Sequence, residues 1–354
     1  MNKIINILKE KKSIPLDQFI DISLYDKKFG FYMKKNPFGK KGDFITAPLI
    51  SNLFSEMIAI WCVAFWEFIG KPKKFLLVEL GPGDGSLCRD LLNTSKQFDN
   101  FYNSLEINLL EISDKLKKIQ KININNKKAK WINKIEEINC GPVIFIGNEF
   151  FDALPIKQIL KKKKLFFEKY VALSRKNEKV KFLYKKANNS LIKRIQNLNL
   201  VSSGNVIEYP LIALKMLKVI AKKINKFGGG LLIIDYGYSS KKNKNTLQSV
   251  KKHKYTNLLS SPHHSDITSH LNLKLFHEIL IKNNLNVRKI TTQNEFLKKI
   301  GILERANILS KKMTFKEKTN MFFRLKRLLD YKEMGSIFKV LFAQKKGKKF
   351  SLGF

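Results

Sequence analysis

The chain has 354 residues, of which 44% are hydrophobic, and this length and composition exclude a largely disordered protein. Its formal net charge of +39 at pH 7 suits a protein that binds nucleic acid. Only 7 of the 68 basic residues are Arg, however, and the abundance of Lys, Asn and Ile indicates a codon bias toward adenine and thymine. Because such a bias spreads lysine over any solvated surface, the charge alone specifies no ligand.

The three cysteines, Cys62, Cys88 and Cys140, stand alone in the sequence. With no CxxC pair and no ligands at metal spacing, we expect neither a disulfide framework nor a bound metal, and we interpret His263 and His264 as surface residues. No apolar stretch reaches the length of about 18 residues that a membrane span needs, and the first residues are too short a run for a signal peptide. We therefore expect a soluble protein that stays inside the cell.

The first 72 residues predict a helical segment. Ile14–Tyr25 shows helical spacing of its apolar residues, and Pro15 suits a helix start. A glycine-rich turn is expected at Phe38–Asp43. The strongly apolar stretch Pro48–Phe68 then predicts a buried helix that ends at Gly70.

Short apolar runs alternate with helical segments in the next part of the chain. Strands are predicted at residues 75–80, 105–111, 130–132 and 143–147, and helices at residues 86–92 and 113–121. This alternation predicts a mostly parallel sheet with helices on both faces.

The pattern changes after Pro155. Residues 156–184 alternate in short runs that favour antiparallel hairpins, and residues 209–227 predict a helix that ends at glycine. A buried strand is expected at residues 231–234 and an edge strand at residues 286–290. We therefore predict an α/β protein with a Rossmann-like core formed by residues 73–155 and 228–354, an N-terminal helical segment at residues 1–72, and an inserted hairpin and helix region at residues 156–227.

The sharpest chemical feature is the segment Val78–Leu87, in which a strand ends in Glu79 and the glycine loop Gly81–Gly85 opens a helix. Glycines permit tight backbone angles and close approach of a ligand. The spacing is G-x-G-x-G with Ser86 next, whereas dinucleotide folds use G-x-G-x-x-G to bind a pyrophosphate. An acidic residue before the loop suits a ligand with a positive amino group and no phosphate. S-adenosylmethionine has these properties, although a plain strand-to-helix turn is the alternative.

Two further groups of polar residues follow predicted strands. Glu111 ends the second strand, where a carboxylate in Rossmann-like sheets binds ribose hydroxyls, and its alternative role is a solvated charge or a helix cap. Asn148–Pro155 follows the fourth strand, so Glu149 and Asp152 should face the crevice at the carboxyl ends of the strands. Asp152 is equally well explained as a helix cap. Gly42–Pro48 either folds over the cofactor as a lid or forms a capped loop.

These features together resemble the MidA-like methyltransferase family, whose mitochondrial members are arginine methyltransferases that assist respiratory complex I assembly. The most specific matches are Gly42-Asp43-Phe44-Ile45-Thr46-Ala47-Pro48, Glu79-Leu80-Gly81-Pro82-Gly83 and Asn148-Glu149-Phe150-Phe151-Asp152-Ala153-Leu154-Pro155. Ile233–Tyr238 and Asp266–Thr268 extend the resemblance. The chain departs from the family at Asp84, where Arg is usual, at Leu49, where Glu is usual, and at Ser55, where Gly is usual.

The resemblance implies a class I S-adenosylmethionine-dependent methyltransferase that methylates an arginine of a partner protein, such as a respiratory complex I subunit or its bacterial counterpart. It places the protein in the bacterial cytoplasm, or in the mitochondrial matrix of a eukaryote. The expected catalytic residues are Glu149, Asp152 and Asp43. The expected cofactor-binding residues are Glu79, Gly81, Pro82, Gly83, Gly85, Glu111, Thr46 and Asn148.

Three other functions stay open from the sequence. The positive charge favours an RNA methyltransferase, and a small-molecule acceptor fits the same core. A non-catalytic assembly factor that binds S-adenosylmethionine would keep the fold without turnover. A nicotinamide oxidoreductase is disfavoured by the glycine spacing.

Overall fold

The computed structural model describes residues 2–39, 42–174, 179–200, 205–240 and 245–354. The helices are α1 (Asn2–Lys11), α2 (Leu16–Tyr25), α3 (Phe31–Lys34), α4 (Ala47–Ile50), α5 (Asn52–Phe68), α6 (Ser86–Ser95), α7 (Asp99–Ser104), α8 (Asp114–Ile124), α9 (Asn189–Asn197), α10 (Leu211–Phe227), α11 (Leu273–Lys282), α12 (Gln293–Lys299), α13 (Ile302–Ser310), α14 (Phe315–Leu329) and α15 (Met334–Ile337), with a 3-10 turn at Ile135–Glu137.

The strands are β1 (Ser13–Pro15), β2 (Phe75–Leu80), β3 (Leu105–Leu110), β4 (Ala129–Ile132), β5 (Val143–Asn148), β6 (Lys157–Lys162), β7 (Leu165–Leu173), β8 (Val180–Lys186), β9 (Val206–Tyr209), β10 (Gly229–Tyr238), β11 (Gln248–Lys251), β12 (Lys254–Tyr255), β13 (Asp266–Thr268), β14 (Leu271–Asn272), β15 (Leu285–Val287), β16 (Thr291–Thr292) and β17 (Phe338–Lys345).

The main sheet has the strand order β15-β17-β10-β5-β2-β3-β4. Strands β4, β3, β2, β5 and β10 run parallel, and β17 is antiparallel to both β10 and β15. The side chains of β2 are all buried, as expected for a parallel strand covered on both faces. The predicted α/β class with a mostly parallel sheet is confirmed.

Two apolar cores cover the faces of the main sheet. On one face, α5, α6 and α14 contribute buried residues, with Trp61 fully buried at the centre of an aromatic group that includes Phe65 and Phe342. On the other face, α10 and α11 pack together with the inserted strands. Because the central strands are parallel, their carboxyl ends lie together at one edge of the sheet. Ligands bind at this edge in open α/β sheets.

The inserted region forms a separate antiparallel sheet in the order β1-β7-β6-β9, with β8 also paired to β7. Strand β1 comes from the N-terminal segment, whereas α5 packs on the main sheet. Both elements belong to the predicted N-terminal segment of residues 1–72, so different parts of that segment pack with different sheets. The division of the chain into three parts remains a proposal.

Several predicted elements differ in detail from the structure. Residues 14 and 15, expected at a helix start, belong to β1, because Ile14 pairs with Val171 of β7. The predicted helix 48–68 is divided at Ser51, which has an extended backbone between α4 and α5. Residues 40 and 41 of the predicted turn 38–43 lie outside the described residues.

The histidine prediction is wrong for His263. This side chain is only 4% exposed and packs beside Phe29, and burial lowers its pKa to about 4. Within the described ranges no group of three metal-binding side chains comes together, and every helix there is too short or too polar to cross a lipid bilayer.

Candidate active site

The glycine loop after β2 is shaped by two aromatic rings that approach it closely. Gly81 and Gly83 have φ angles of +62° and +57°, which side-chain-bearing residues rarely adopt. A Cβ atom on Gly81 would lie 2.6 Å from Cδ2 of Phe150, and one on Gly83 would lie 3.2 Å from Cζ of Phe38. The loop therefore needs glycine for its backbone angles and for its contacts.

The end of the same loop is fixed by hydrogen bonds and by helix packing. Asp84 Oδ1 accepts a hydrogen bond of 3.0 Å from the backbone N–H of Ser86, and Oδ2 accepts one from the Ser86 hydroxyl, which ties the first residue of α6 to the loop. Gly85 has φ +87°, and a Cβ atom there would lie 3.0 Å from Cδ1 of Ile124 in α8. Gly85 thus lets α8 pack closely behind the loop.

Glu111 follows β3 and is connected to the glycine loop through Gln120. The Glu111 carboxylate accepts hydrogen bonds from the Ser113 N–H at 2.8 Å and from Gln120 Nε2 at 2.9 Å. Gln120 Nε2 also donates to the Gly83 carbonyl at 2.8 Å. One buried amide therefore fixes the position of the carboxylate relative to the loop, a role that the sequence did not predict for Gln120.

The loop opens into a cavity of about 480 Å³ at the carboxyl ends of the parallel strands, a size typical of a small-molecule site. Of the residues expected to bind the cofactor or to act in catalysis, eight line this cavity: Thr46, Glu79, Gly81, Pro82, Gly83, Glu111, Asn148 and Glu149. Gly85, Asp43 and Asp152 do not line it.

The segment before α4 covers the cavity. Phe38, Phe44, Thr46 and Pro48 all contribute to its wall, and the rings of Phe38 and Phe44 meet edge to face with centroids 5.1 Å apart. Of the two possibilities that the sequence left open for Gly42–Pro48, we propose the lid, because Phe44, Thr46 and Pro48 line the cavity.

Glu149 occupies the turn that follows β5. Its backbone has φ +50°, and its N–H donates to the Ile234 carbonyl at 3.0 Å. The carboxylate accepts a hydrogen bond of 2.9 Å from the Ala47 N–H at the start of α4. Burial raises the pKa of Glu149 to about 8, with a further contribution from the negative charge of Asp152.

The side chain of Asp235 in β10 binds the backbone of this turn. Its Oδ2 atom accepts hydrogen bonds from the backbone N–H groups of Phe150, Phe151 and Asp152 at 3.2, 2.9 and 3.3 Å. The side chain is fully buried, and burial together with the nearby Glu149 raises its pKa to about 8. Three successive N–H groups around one carboxylate form a concave anion-binding arrangement of the backbone.

Asp152 and Asp43 are buried next to the cavity instead of facing it. Asp152 is 6% exposed, and burial with the charges of Asp235 and Asp266 raises its pKa well above the usual value. Asp43 accepts a hydrogen bond from the Lys252 N–H at 3.0 Å and forms an ion pair with Lys35. Both side chains are therefore placed to stabilise the backbone around the cavity.

Two tyrosines that the sequence did not single out line the cavity. Tyr25 and Tyr32 stack with ring centroids 5.7 Å apart. The Tyr25 hydroxyl donates to the Ala153 carbonyl at 2.9 Å, and the Tyr32 hydroxyl donates to Asp266 Oδ1 at 2.8 Å. Tyr25 ends the stretch Ile14–Tyr25, whose helical spacing of apolar residues was the available signal for this part of the wall.

Comparison with known proteins supplies the activity. A family described as a putative S-adenosyl-L-methionine-dependent methyltransferase matches residues 57–291. The chain belongs to this family. It is an S-adenosylmethionine-dependent methyltransferase of the α/β class, and the glycine loop, Glu79 and Glu111 lie inside the matched range.

Curated relatives share most of the chain. A Xenopus laevis protein named protein arginine methyltransferase NDUFAF7, mitochondrial, is 30% identical over 337 residues, which cover 88% of this chain and 76% of the relative. The Xenopus tropicalis protein of the same name is 29% identical over 345 residues, covering 88% and 77%. A crystal structure of a Burkholderia thailandensis protein bound to S-adenosyl-homocysteine has a TM-score of 0.83 at 21% identity, covering 98% of this chain and 92% of that one, which shows a shared fold.

The cavity fits S-adenosylmethionine at its charged end. Glu79 is 4% exposed, and burial together with the charge of Asp84 raises its pKa to about 8. Among the residues that the structure describes, none forms an ion pair with the Glu79 carboxylate. A ligand ammonium group would supply the missing positive charge there. We propose that Glu79 and Gly81–Gly83 hold the amino acid end of the cofactor and that Glu111 holds its ribose.

Proposed function

We propose that this methyltransferase acts on an arginine side chain of a partner protein and that Glu149 is its catalytic carboxylate. The observation that carries the proposal is the position of Glu149 in the wall of the cavity, one strand away from the glycine loop, with its carboxylate anchored by the Ala47 N–H. The names of the curated relatives support arginine as the acceptor.

The chemistry of the acceptor explains why a carboxylate is needed. A guanidinium stays protonated at neutral pH, and its nitrogen lone pairs are delocalised, so it is a poor nucleophile. Burial raises the pKa of Glu149 to about 8, so the side chain would lose its proton when the positive guanidinium binds beside it. The resulting carboxylate, by binding two N–H groups at one end, would localise the positive charge there and leave the opposite nitrogen free to attack. S-adenosylmethionine, when bound, would supply the sulfonium methyl group: the N–C bond forms as the S–C bond breaks, S-adenosyl-homocysteine is the leaving group, and the surplus proton of the methylated nitrogen passes to solvent.

The remaining residues of the chain position these groups. Positioning of the two reactants supplies a large part of the rate in such displacements. The lid residues Phe38 and Phe44, with Tyr25 and Tyr32, form an aromatic wall of the cavity against which the acceptor would be oriented. Asp152 and Asp43 support the turn and the lid from their buried positions outside the cavity.

The partner protein and the compartment belong to the same proposal. We propose as acceptor a respiratory complex I subunit, or its bacterial counterpart, and action in the bacterial cytoplasm or the mitochondrial matrix. The word mitochondrial in the names of the relatives supports the eukaryotic half of this statement.

Incubation with labelled S-adenosylmethionine and cell extract, followed by mass spectrometry of the labelled residue, tests the proposal. We expect label on a protein arginine. Glu149→Gln should lower this methylation by about 10²- to 10⁴-fold, because the carboxylate is lost while the shape is kept. Affinity for S-adenosyl-homocysteine should change less than about threefold, a shift well below 1.4 kcal/mol.

Glu136→Gln is a matched control. Glu136 also lines the cavity, in the 3-10 turn that follows β4, and is exposed. It should retain wild-type methylation. Label in RNA, or undiminished turnover by the Glu149 variant, would refute the proposal. Cofactor binding without any methyl transfer would favour a non-catalytic assembly factor.

A further inference from the structure

Helix α14 exposes three phenylalanines on its solvent face. Phe315, Phe323 and Phe322 are 85%, 73% and 41% exposed. The opposite face of the helix is buried in the core through Met321, Leu325, Leu328 and Leu329. Scattered apolar residues are normal on a surface, but three large aromatic side chains on one short helix mark an interaction site.

The same surface is strongly basic. Residues 311–333 contain eight Lys and Arg residues and three Asp and Glu residues. Two of the seven arginines of the chain, Arg324 and Arg327, lie on α14. In a sequence where lysine dominates, this matters because arginine and aromatic residues are enriched at protein interfaces and lysine is depleted there. We call Phe315, Lys316, Phe322, Phe323 and Arg327 the α14 face.

Helix α14 lies beside the segment that anchors Glu149, and its residues do not themselves line the cavity. Helix α14 packs against α4, whose first residue, Ala47, donates the hydrogen bond to Glu149. Burial raises the pKa of Glu149, and the positive charge of Arg327 lowers it to a smaller extent. Phe323 precedes Arg327 by one helical turn, so both lie on the same side of α14.

We propose that the α14 face binds an acidic segment with apolar side chains in the protein that accepts the methyl group. Complementary charge steers such a segment toward the enzyme, and the phenylalanines provide the buried area that holds it. Binding next to α4 would bring an arginine of the same partner to Glu149. This inference rests on the proposed function, since it identifies the chemistry of that function's partner.

Two synthetic peptides test the inference directly. Each contains one arginine and several leucines, and they differ only in carrying glutamate or glutamine at the remaining positions. We expect the glutamate peptide to bind the full-length enzyme at least about tenfold more tightly in fluorescence anisotropy, a difference of about 1.4 kcal/mol. The advantage should shrink at about 1 M salt, where charges are screened over about 3 Å.

Substitutions on the face should remove this preference. The double variant Phe323→Ser with Lys316→Glu should bind the two peptides about equally and should raise KM for the glutamate peptide by about tenfold, with little change in kcat. The matched control is Ile122→Ser with Lys118→Glu on α8, where Ile122 is 77% exposed and Lys118 is also exposed. The control should behave as wild type, and both variants should bind S-adenosyl-homocysteine normally.

The outcomes separate the two proposals. Preferential binding of the glutamate peptide without methylation of its arginine would refute the proposed acceptor and leave the docking surface standing. Methylation of both peptides with equal KM, or equal effects of the two double variants, would refute the docking surface alone. A dimer in sedimentation experiments that dissociates only in the α14 variant would assign the face to a second copy and also overturn the inference.

Discussion

The turns after β2 and β5 lie side by side in the sheet and are stabilised in opposite ways. The turn after β2 is built from glycines, and the rings of Phe150 and Phe38 occupy the space that side chains would take. The turn after β5 carries functional side chains, with Glu149 at φ +50°. A buried carboxylate, Asp235, binds the backbone of this second turn.

This difference follows from what each turn has to present. The first turn has to leave room for a ligand against its backbone. It needs glycine both for its positive φ angles and because a side chain would collide with its neighbours. The second has to present a carboxylate, so it accepts a backbone conformation of about 1–3 kcal/mol in strain and needs a partner that holds it. Phe150 connects the turns, because it belongs to the second and packs on Gly81 of the first.

Gly81→Ala should have the largest effect on this arrangement. The new Cβ atom would lie 2.6 Å from the Phe150 ring at a φ of +62°, so both ring displacement and backbone strain are expected. Overpacking costs about 1–3 kcal/mol and a left-handed non-glycine residue about 1–2 kcal/mol. We expect affinity for S-adenosyl-homocysteine to fall by about 100-fold in calorimetry.

Gly70→Ala is the control for strain alone. Gly70 has φ +95°, and no atom lies within 4 Å of a Cβ placed there. This variant should lower the melting temperature and leave cofactor affinity unchanged. If Gly81→Ala bound the cofactor as wild type does, the close contact with Phe150 would not matter for the site.

Asp235→Asn tests the second turn. The carboxylate accepts the N–H of Tyr236 on Oδ1 and three N–H groups on Oδ2. An amide has one oxygen, so its NH₂ group must face at least one of these donors, and an unsatisfied buried group costs about 1–3 kcal/mol. We expect kcat to fall by about 30-fold, because Glu149 loses its position, while cofactor affinity changes by less than about threefold.

Glu208→Gln provides the matched control for that loss. Glu208 is also a buried carboxylate with several donors, among them the N–H groups of Thr246 and Leu247, but it lies in the inserted sheet. The Glu208→Gln variant should lose a similar free energy of unfolding to the Asp235→Asn variant and should keep the wild-type kcat. Equal losses of kcat in the two variants would mean that Asp235 acts through general stability and not through the turn.

The sequence was sufficient for the first turn and insufficient for the second. Glycines at fixed spacing after a strand, with Glu79 before them, are local features, and strand alternation placed Glu111 and Glu149 at the same edge of the sheet. Asp235 becomes a partner of residues 150–152 only because β10 pairs with β5 in a register that sets Ile234 opposite Asn148. Such a register between residues that are 86 positions apart has no local signal.

Other parts of the wall depend on tertiary contacts in the same way. Phe38 packs on Gly83, and Gln120 reaches from α8 to Glu111 and Gly83. Tyr25 and Tyr32 enter the cavity because α2 and α3 pack beside each other. Sequence pattern therefore identified the residues at strand ends, and the residues supplied by the covering segments required the structure.

The buried Glu79 gives the unliganded enzyme a distinct pH dependence. In the unfolded chain a glutamate loses its proton near pH 4.5, whereas folded Glu79 keeps it until about pH 8. Folding therefore takes up a proton in this window, and stability falls as pH rises through it. The side chain in the Glu79→Gln variant cannot ionise. From pH 6 to pH 8, the free energy of unfolding of the wild type should therefore fall by about 2 kcal/mol more than that of the variant.

Urea unfolding of both proteins at several pH values measures this difference. Glu304→Gln, at an exposed position, should follow the wild type. Parallel pH profiles for the wild type and the Glu79 variant would mean that Glu79 is ionised in the unliganded enzyme and already has a counter-charge.

Gly85→Ala has the smallest expected effect and separates the roles within the glycine loop. Gly85 has a positive φ like Gly81, but it faces α8 and does not line the cavity. The new Cβ atom would lie 3.0 Å from the end of the Ile124 side chain, which is flexible and can shift. The main cost of the substitution is therefore the backbone strain of about 1–2 kcal/mol. Stability should fall by that amount in urea unfolding, while cofactor affinity changes by less than about threefold.

The double variant with Ile124→Val should recover only the part of the loss of stability that comes from the contact between the new Cβ atom and Ile124. If Gly85→Ala instead weakened the cofactor as strongly as Gly81→Ala, the third glycine would belong to the binding surface, and the loop would act as one unit up to the first turn of α6.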